Sequence, residues 1–169
     1  MSEVIRLVYA SQLGLPFAPA SSRLLAESLF NRACKLQGSQ ALSGVMFCRD
    51  GFWLHCIEGD VDRVLSFYRN LCIRCYLREP MVLWQGEVST RLYPKDGMKL
   101  VVDNEVSAAF LRAQGMPQFN PFWLGDESIE ALVRHLRHAP AVLSYVPVPV
   151  VQPTFWWSAF KQRWQQLAG

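Results

Sequence analysis

Residues 41–60 read ALSGVMFCRDGFWLHCIEGD: two apolar runs, Ala41–Cys48 and Phe52–Glu58, on either side of Arg49-Asp50-Gly51. An Asp-Gly pair between two strand-like runs signals a hairpin, because glycine supplies the positive φ that a tight turn needs. Gly59-Asp60 is expected to stop the second strand and Asp60 to cap a helix. In that helix Val61, Val64, Leu65, Tyr68, Leu71 and Cys72 fall on one side.

The neighbouring segments extend this unit in both directions. Upstream, Val4–Ser11 is β-branched and aromatic and predicts a buried first strand. Gly14, Pro16 and Pro19 punctuate the loop Gln12–Ala20. Ser21 or Ser22 is the expected cap of a helix over Arg23–Leu36, with Leu25, Leu29, Ala33 and Leu36 at helical spacing. Downstream, Met81–Thr90 and Met98–Val102 predict two further strands. The resulting order is β-α-β-β-α-β-β, an α+β, ferredoxin-like sheet with two helices on one face and the other face left free.

Past Asp103 the character changes, which divides the chain into a domain over 1–103 and an extension over 104–169. Val106–Gln114 and Ser128–His138 predict helices, and prolines at 140, 147, 149 and 153 predict an extended run over Ala139–Pro153 that cannot be a central strand. Thr154–Leu167 predicts a last helix whose Trp156, Trp157, Phe160 and Trp164 mark a contact face, for the free sheet face, a second copy or another protein.

Composition narrows the function classes. The 169 residues suit one domain with an appendage, and 51% hydrophobic content is ample for a core. Only 18% of residues are charged, so a partner is expected to cover some apolar surface. The net charge of +3 is spread along the chain without a basic run, so nucleic acid is not implied. No secretion signal and no apolar stretch of ~18–20 residues is apparent, which predicts a cytoplasmic protein with no membrane segment. Cysteines at 34, 48, 56, 72 and 75 are an odd set, expected as reduced thiols.

Leu7-Val8-Tyr9-Ala10-Ser11, Leu42-Ser43-Gly44 and Trp53-Leu54-His55-Cys56-Ile57-Glu58-Gly59 together resemble the BLUF (blue light using flavin) family, whose pattern is Leu-x-Tyr-x-Ser, Ile-Thr-Gly and Phe-x-Gln-x-Leu-Glu-Gly. The resemblance covers Val4 to Val102. It implies FAD between the two helices and a light-driven rearrangement among a tyrosine, a glutamine and the flavin edge. Tyr9 takes the tyrosine position and His55 the glutamine position, Gln37 falls at the flavin-holding asparagine, and Met98 keeps the methionine of a Trp-x-Met whose tryptophan is lost. The Asp-x-Arg-His that grips the flavin pyrimidine falls near Arg74-Cys75-Tyr76-Leu77, with Arg78 as a shifted substitute.

Each lost buried donor costs about 1–3 kcal/mol, so two or three losses weaken flavin affinity by several orders of magnitude. The resemblance therefore implies a signalling or regulatory protein-interaction module with no flavin or weak flavin binding. A FAD photoreceptor with a His-for-Gln photocycle is the alternative.

Plainer roles compete for the same residues: without a chromophore Tyr9 is a core tyrosine, and His55 a hydrogen-bonded histidine in a pocket. Cys72-Ile73-Arg74-Cys75 lies at a helix C-terminus, where the dipole disfavours thiolate, so redox chemistry is not expected. His55, Cys56, His135 and His138 lack zinc-site spacing, and no metal is expected. His135 and His138 close a helix as ordinary dipole complements. With no nucleophile elbow, glycine-rich phosphate loop or paired carboxylates, the chain is not expected to be an enzyme.

Overall fold

The computed structural model describes residues 4–13, 19–37, 41–75, 77–93 and 97–146. Strand β1 (Val4–Gln12) leads to helix α1 (Pro19–Gln37), then β2 (Ser43–Arg49), β3 (Phe52–Asp60) and helix α2 (Val61–Arg74). Strands β4 (Arg78–Glu87) and β5 (Met98–Val102) follow, then α3 (Glu105–Ala113), a 3-10 turn (Pro121–Trp123), α4 (Asp126–His138) and β6 (Leu143–Tyr145). The six strands form one sheet in the order β4-β1-β3-β2-β5-β6, with β2 and β5 parallel and every other pair antiparallel.

The predicted hairpin forms as read. Asp50 (φ 51°) and Gly51 (φ 80°) are both left-handed, the geometry of a two-residue turn that matches strand twist. β3 does not stop at Gly59-Asp60, because these residues still pair with Ile5 and Val4. Asp60 nevertheless caps α2, its side chain accepting from the Asp62 N–H at 3.2 Å. α1 starts at Pro19, ahead of Ser21 and Ser22, since proline's fixed φ suits a first helical position. β4 begins at Arg78 rather than Met81, and Pro80 is tolerated there because β4 is an edge strand. β6 arises inside the proline-bearing segment and is also an edge strand.

One expectation fails: the second sheet face is not free. Leu7, Tyr9, Met46, Trp53, Ile57 and Leu100 point to α1 and α2, where they pack with Ala26, Phe30, Val64, Phe67 and Leu71. The alternate residues Val8, Val45, Phe47, Leu54, Cys56 and Val101 form a second core with Leu111, Phe119, Ile129, Leu132 and Leu136 of the α3–α4 region. α3 is fixed by a reciprocal cap between Asn104 and Ser107, and α4 carries Asp126 and Glu127 in its first turn, where they complement the dipole. The contact face expected over Trp156, Trp157, Phe160 and Trp164 lies outside the described residues.

Candidate functional site

Tyr9 on β1 and His55 on β3 face each other in register, and both side chains enter the layer beneath α1 and α2. Neither is exposed. The Tyr9 Oη–His55 Nδ1 distance is 2.9 Å, and His55 Nε2 lies 3.3 Å from Met98 Sδ on β5. Trp53 and Phe67 stand edge-on to the imidazole at 6.0 Å, and Tyr68 packs on Tyr9 at 4.8 Å.

Burial sets the protonation states. Removal from water pushes the His55 pKa down to about 3, so the ring is neutral at physiological pH. The same desolvation holds the Tyr9 phenol well above its ordinary value, only partly offset by the nearby Trp53 indole N–H. That indole N–H is itself buried without a partner in hydrogen-bond geometry among the described residues. Methionine sulfur can only accept, so the contact with Met98 Sδ puts the ring proton on Nε2 and leaves Nδ1 to accept from the Tyr9 hydroxyl. The chain therefore runs Tyr9 to His55 to Met98 in one direction.

Gln37 is the last residue of α1, buried, and its Nε2 donates to the Leu42 carbonyl at 2.7 Å, which ties the end of α1 to the approach to β2. At the end of α2, Arg74 is exposed, Cys75 buried and Leu77 half-buried, while Tyr76 lies outside the described residues. The Arg78 side chain is exposed, and its carbonyl accepts from Ser11 Oγ at 2.6 Å. The described residues of this segment supply no carboxylate or imidazole to hold a flavin pyrimidine, and Trp53, bulkier than the family's phenylalanine, is fully buried in the layer between sheet and helices. Among the described residues, the side-chain donors facing this layer are the Tyr9 hydroxyl, the His55 imidazole and the Trp53 indole N–H, with the Gln37 amide at its edge.

In the sequence Glu58 stands out as the acid that ends the strand-like run Phe52–Glu58. It is fully buried, takes Arg6 Nε at 2.7 Å, and accepts the backbone N–H groups of Leu92 and Tyr93 at 3.1 Å each. Arg6 reaches on to Glu130 of α4 at 3.0 Å, and Tyr93 Oη donates to the Val133 carbonyl of the same helix at 2.7 Å. A lone arginine inside the apolar run VIRLVYAS was the available signal. A cavity of about 640 Å³ lies at the hairpin end of the sheet, lined by residues such as Arg23, Arg49, Phe52, Asp103 and Trp123; Tyr9, Gln37, His55 and Met98 do not line it.

Burial raises the pKa of both Cys72 and Cys75, the wrong direction for a reactive thiol pair. Among the described residues no group of three or more His, Cys, Asp or Glu side chains could hold a metal ion, and no helix is long and apolar enough to cross a membrane.

The family profile described as "Sensors of blue-light using FAD" matches residues 4–99. The fold is similar to that of the BlsA photo-activated state, with a TM-score of 0.70 at 19% identity, covering 83% of this chain and 99% of that one. It is also similar to the dark-state structure of BlrB, a BLUF protein, with a TM-score of 0.58 at 18% identity, covering 81% and 97%. No curated protein matches by sequence. The structural likeness extends well beyond the 4–99 match, and on that match the chain belongs to the BLUF family of blue-light sensor domains.

Proposed function

We propose that this chain is a BLUF-scaffold regulatory module that acts through protein contacts, is not itself catalytic, and binds flavin weakly or not at all. One observation carries the reading. Both nitrogens of His55, at the position of the switching glutamine, are occupied within the protein by Tyr9 and Met98, and the ring is held neutral by burial. An amide can exchange its donor and acceptor ends by rotation, whereas a neutral imidazole with both edges engaged must move its proton from one nitrogen to the other. The five free cysteines support a reducing, cytoplasmic setting.

Trp156, Trp157, Phe160 and Trp164 are proposed as the contact for another protein or a second copy. α3 and α4 already cover the second sheet face, so that face does not need these aromatics. Replacing Trp156, Phe160 and Trp164 with alanine is expected to lower the mass of any complex seen by light scattering; an unchanged complex would remove the tail from the interface.

The deciding test is an absorption spectrum after incubation with FAD and removal of excess, before and after blue illumination. The expected result is no retained flavin band. A retained band with a reversible red shift would overturn the reading in favour of a FAD photoreceptor with a His55-modified photocycle. That alternative draws support from the Tyr9 phenol, which keeps its place and a hydrogen bond to the residue at the glutamine position.

A further inference from the structure

The charges that look evenly scattered in sequence are sorted by the fold. Histidines aside, α1 and α2 carry six basic side chains against two acidic ones, while α3 and α4 carry three against four. Arg23 is paired with Glu27 within its own helix. Arg32, Lys35, Arg63, Arg69 and Arg74 are all exposed, and none makes an ion pair among the described residues. They lie on the outward side of the two helices, because the inward positions Ala26, Phe30, Ala33, Val64, Phe67 and Leu71 are buried on the sheet.

The helices form one continuous face. β1 and β3 are antiparallel and each is followed by a returning helix, so α1 and α2 run antiparallel on one side of the sheet. Arg32, in the second half of α1, is near enough to the end of α2 for its guanidinium to favour the Cys75 thiolate. Leu24 on α1 and Ile73 on α2 are 69% and 73% exposed, apolar side chains on the same two helices that carry the unpaired cations.

We infer that the outer face of α1 and α2 docks an acidic protein surface, whose carboxylates meet the five unpaired cations and whose apolar contacts meet Leu24 and Ile73; this deepens the reading of the chain as a protein-interaction module. A mixture of arginine and exposed aliphatic side chains is what protein interfaces select, whereas phosphate-backbone binding gains nothing from Leu24 and Ile73. A second copy docked through the same face is a poor occupant, since two basic helix pairs would meet each other.

The test is fluorescence anisotropy of the full chain against three probes at one ionic strength: a labelled amphipathic Glu/Leu peptide, a single-stranded oligonucleotide and vesicles rich in anionic lipid. The peptide is expected to bind saturably and to weaken as salt rises. The Arg32→Glu/Arg69→Glu/Arg74→Glu variant is expected to lose at least about tenfold in affinity, and Leu24→Ser/Ile73→Ser about threefold or more. Circular dichroism confirms that these surface variants are folded. Absence of peptide binding, tighter binding to oligonucleotide or vesicle, or peptide binding indifferent to both variants overturns the inference. FAD retention is measured separately on the wild type, so a failed flavin-free reading and a failed docking face give different results.

Discussion

Acid should unfold this protein through His55. Its folded pKa is about 3 against an ordinary value of 6.5, so between those values the unfolded chain binds a proton that the folded chain refuses. Stability therefore rises with pH across this window and falls as pH drops from about 6.5 toward 3. Between pH 7 and pH 5 the linkage integral gives a loss of about 2 kcal/mol from His55 alone, because its folded form stays neutral throughout. His135, half-buried and shifted in the same direction by desolvation, adds to the slope. The control is His55→Gln, which keeps an acceptor for the Tyr9 hydroxyl and cannot ionise. Urea melts at pH 7, 6 and 5 with a constant m-value report the difference. The variant should be flatter than the wild type by about 2 kcal/mol over that range. Equal slopes for the two proteins would refute the claim that His55 is buried and neutral.

Glu58→Ala should cost about 3–5 kcal/mol, since it strands the buried Arg6 guanidinium and two backbone N–H groups; a urea midpoint shift worth less than about 1 kcal/mol would show the network to be dispensable. Gly44→Ala should cost about 3 kcal/mol, because a Cβ there would sit 2.0 Å from the Cys56 carbonyl oxygen and force β2 from β3; a thermal melt matching the wild type would contradict that register. Restoring the family amide with His55→Gln should tighten FAD binding by about tenfold or more in an absorbance titration, and an unchanged titration would locate the defect in the lost pyrimidine donors instead.

The fold was legible where local chemistry and pattern agreed. Asp50-Gly51 announced the hairpin because few other pairs accept two left-handed residues, and Asp60 announced α2 because its carboxylate meets a free N–H. The covering of the second sheet face by α3 and α4 is written in the strands rather than in the helix periodicity. Val45-Met46-Phe47-Cys48 and Trp53-Leu54-His55-Cys56-Ile57 are nearly continuous apolar runs, and a strand without alternation is one buried on both sides. That pattern already required a second layer, which α3, α4 and Phe119 supply. Tyr9, His55 and Met98 could be picked out only through the family pattern, since nothing local distinguishes them from core residues. Their joining into one hydrogen-bonded chain needed the β1–β3 and β2–β5 registers.

The direction of that chain bears most heavily on whether the site can still switch. With Tyr9 donating to Nδ1 and Nε2–H facing Met98 Sδ, a reversed state requires the imidazole proton to move to Nδ1 and the phenol to find a new acceptor. The reversed state also leaves the Nε2 lone pair against a sulfur that cannot donate. Protonating both nitrogens is no escape, since burial holds the ring neutral down to about pH 3. The polar groups at the centre of the site thus agree on one arrangement, and a sensor needs two of comparable energy. A ligand that presented an acceptor to Tyr9 or a donor to Nε2 would supply the missing second state. The FAD titration of the wild type and of His55→Gln measures whether flavin can be that ligand.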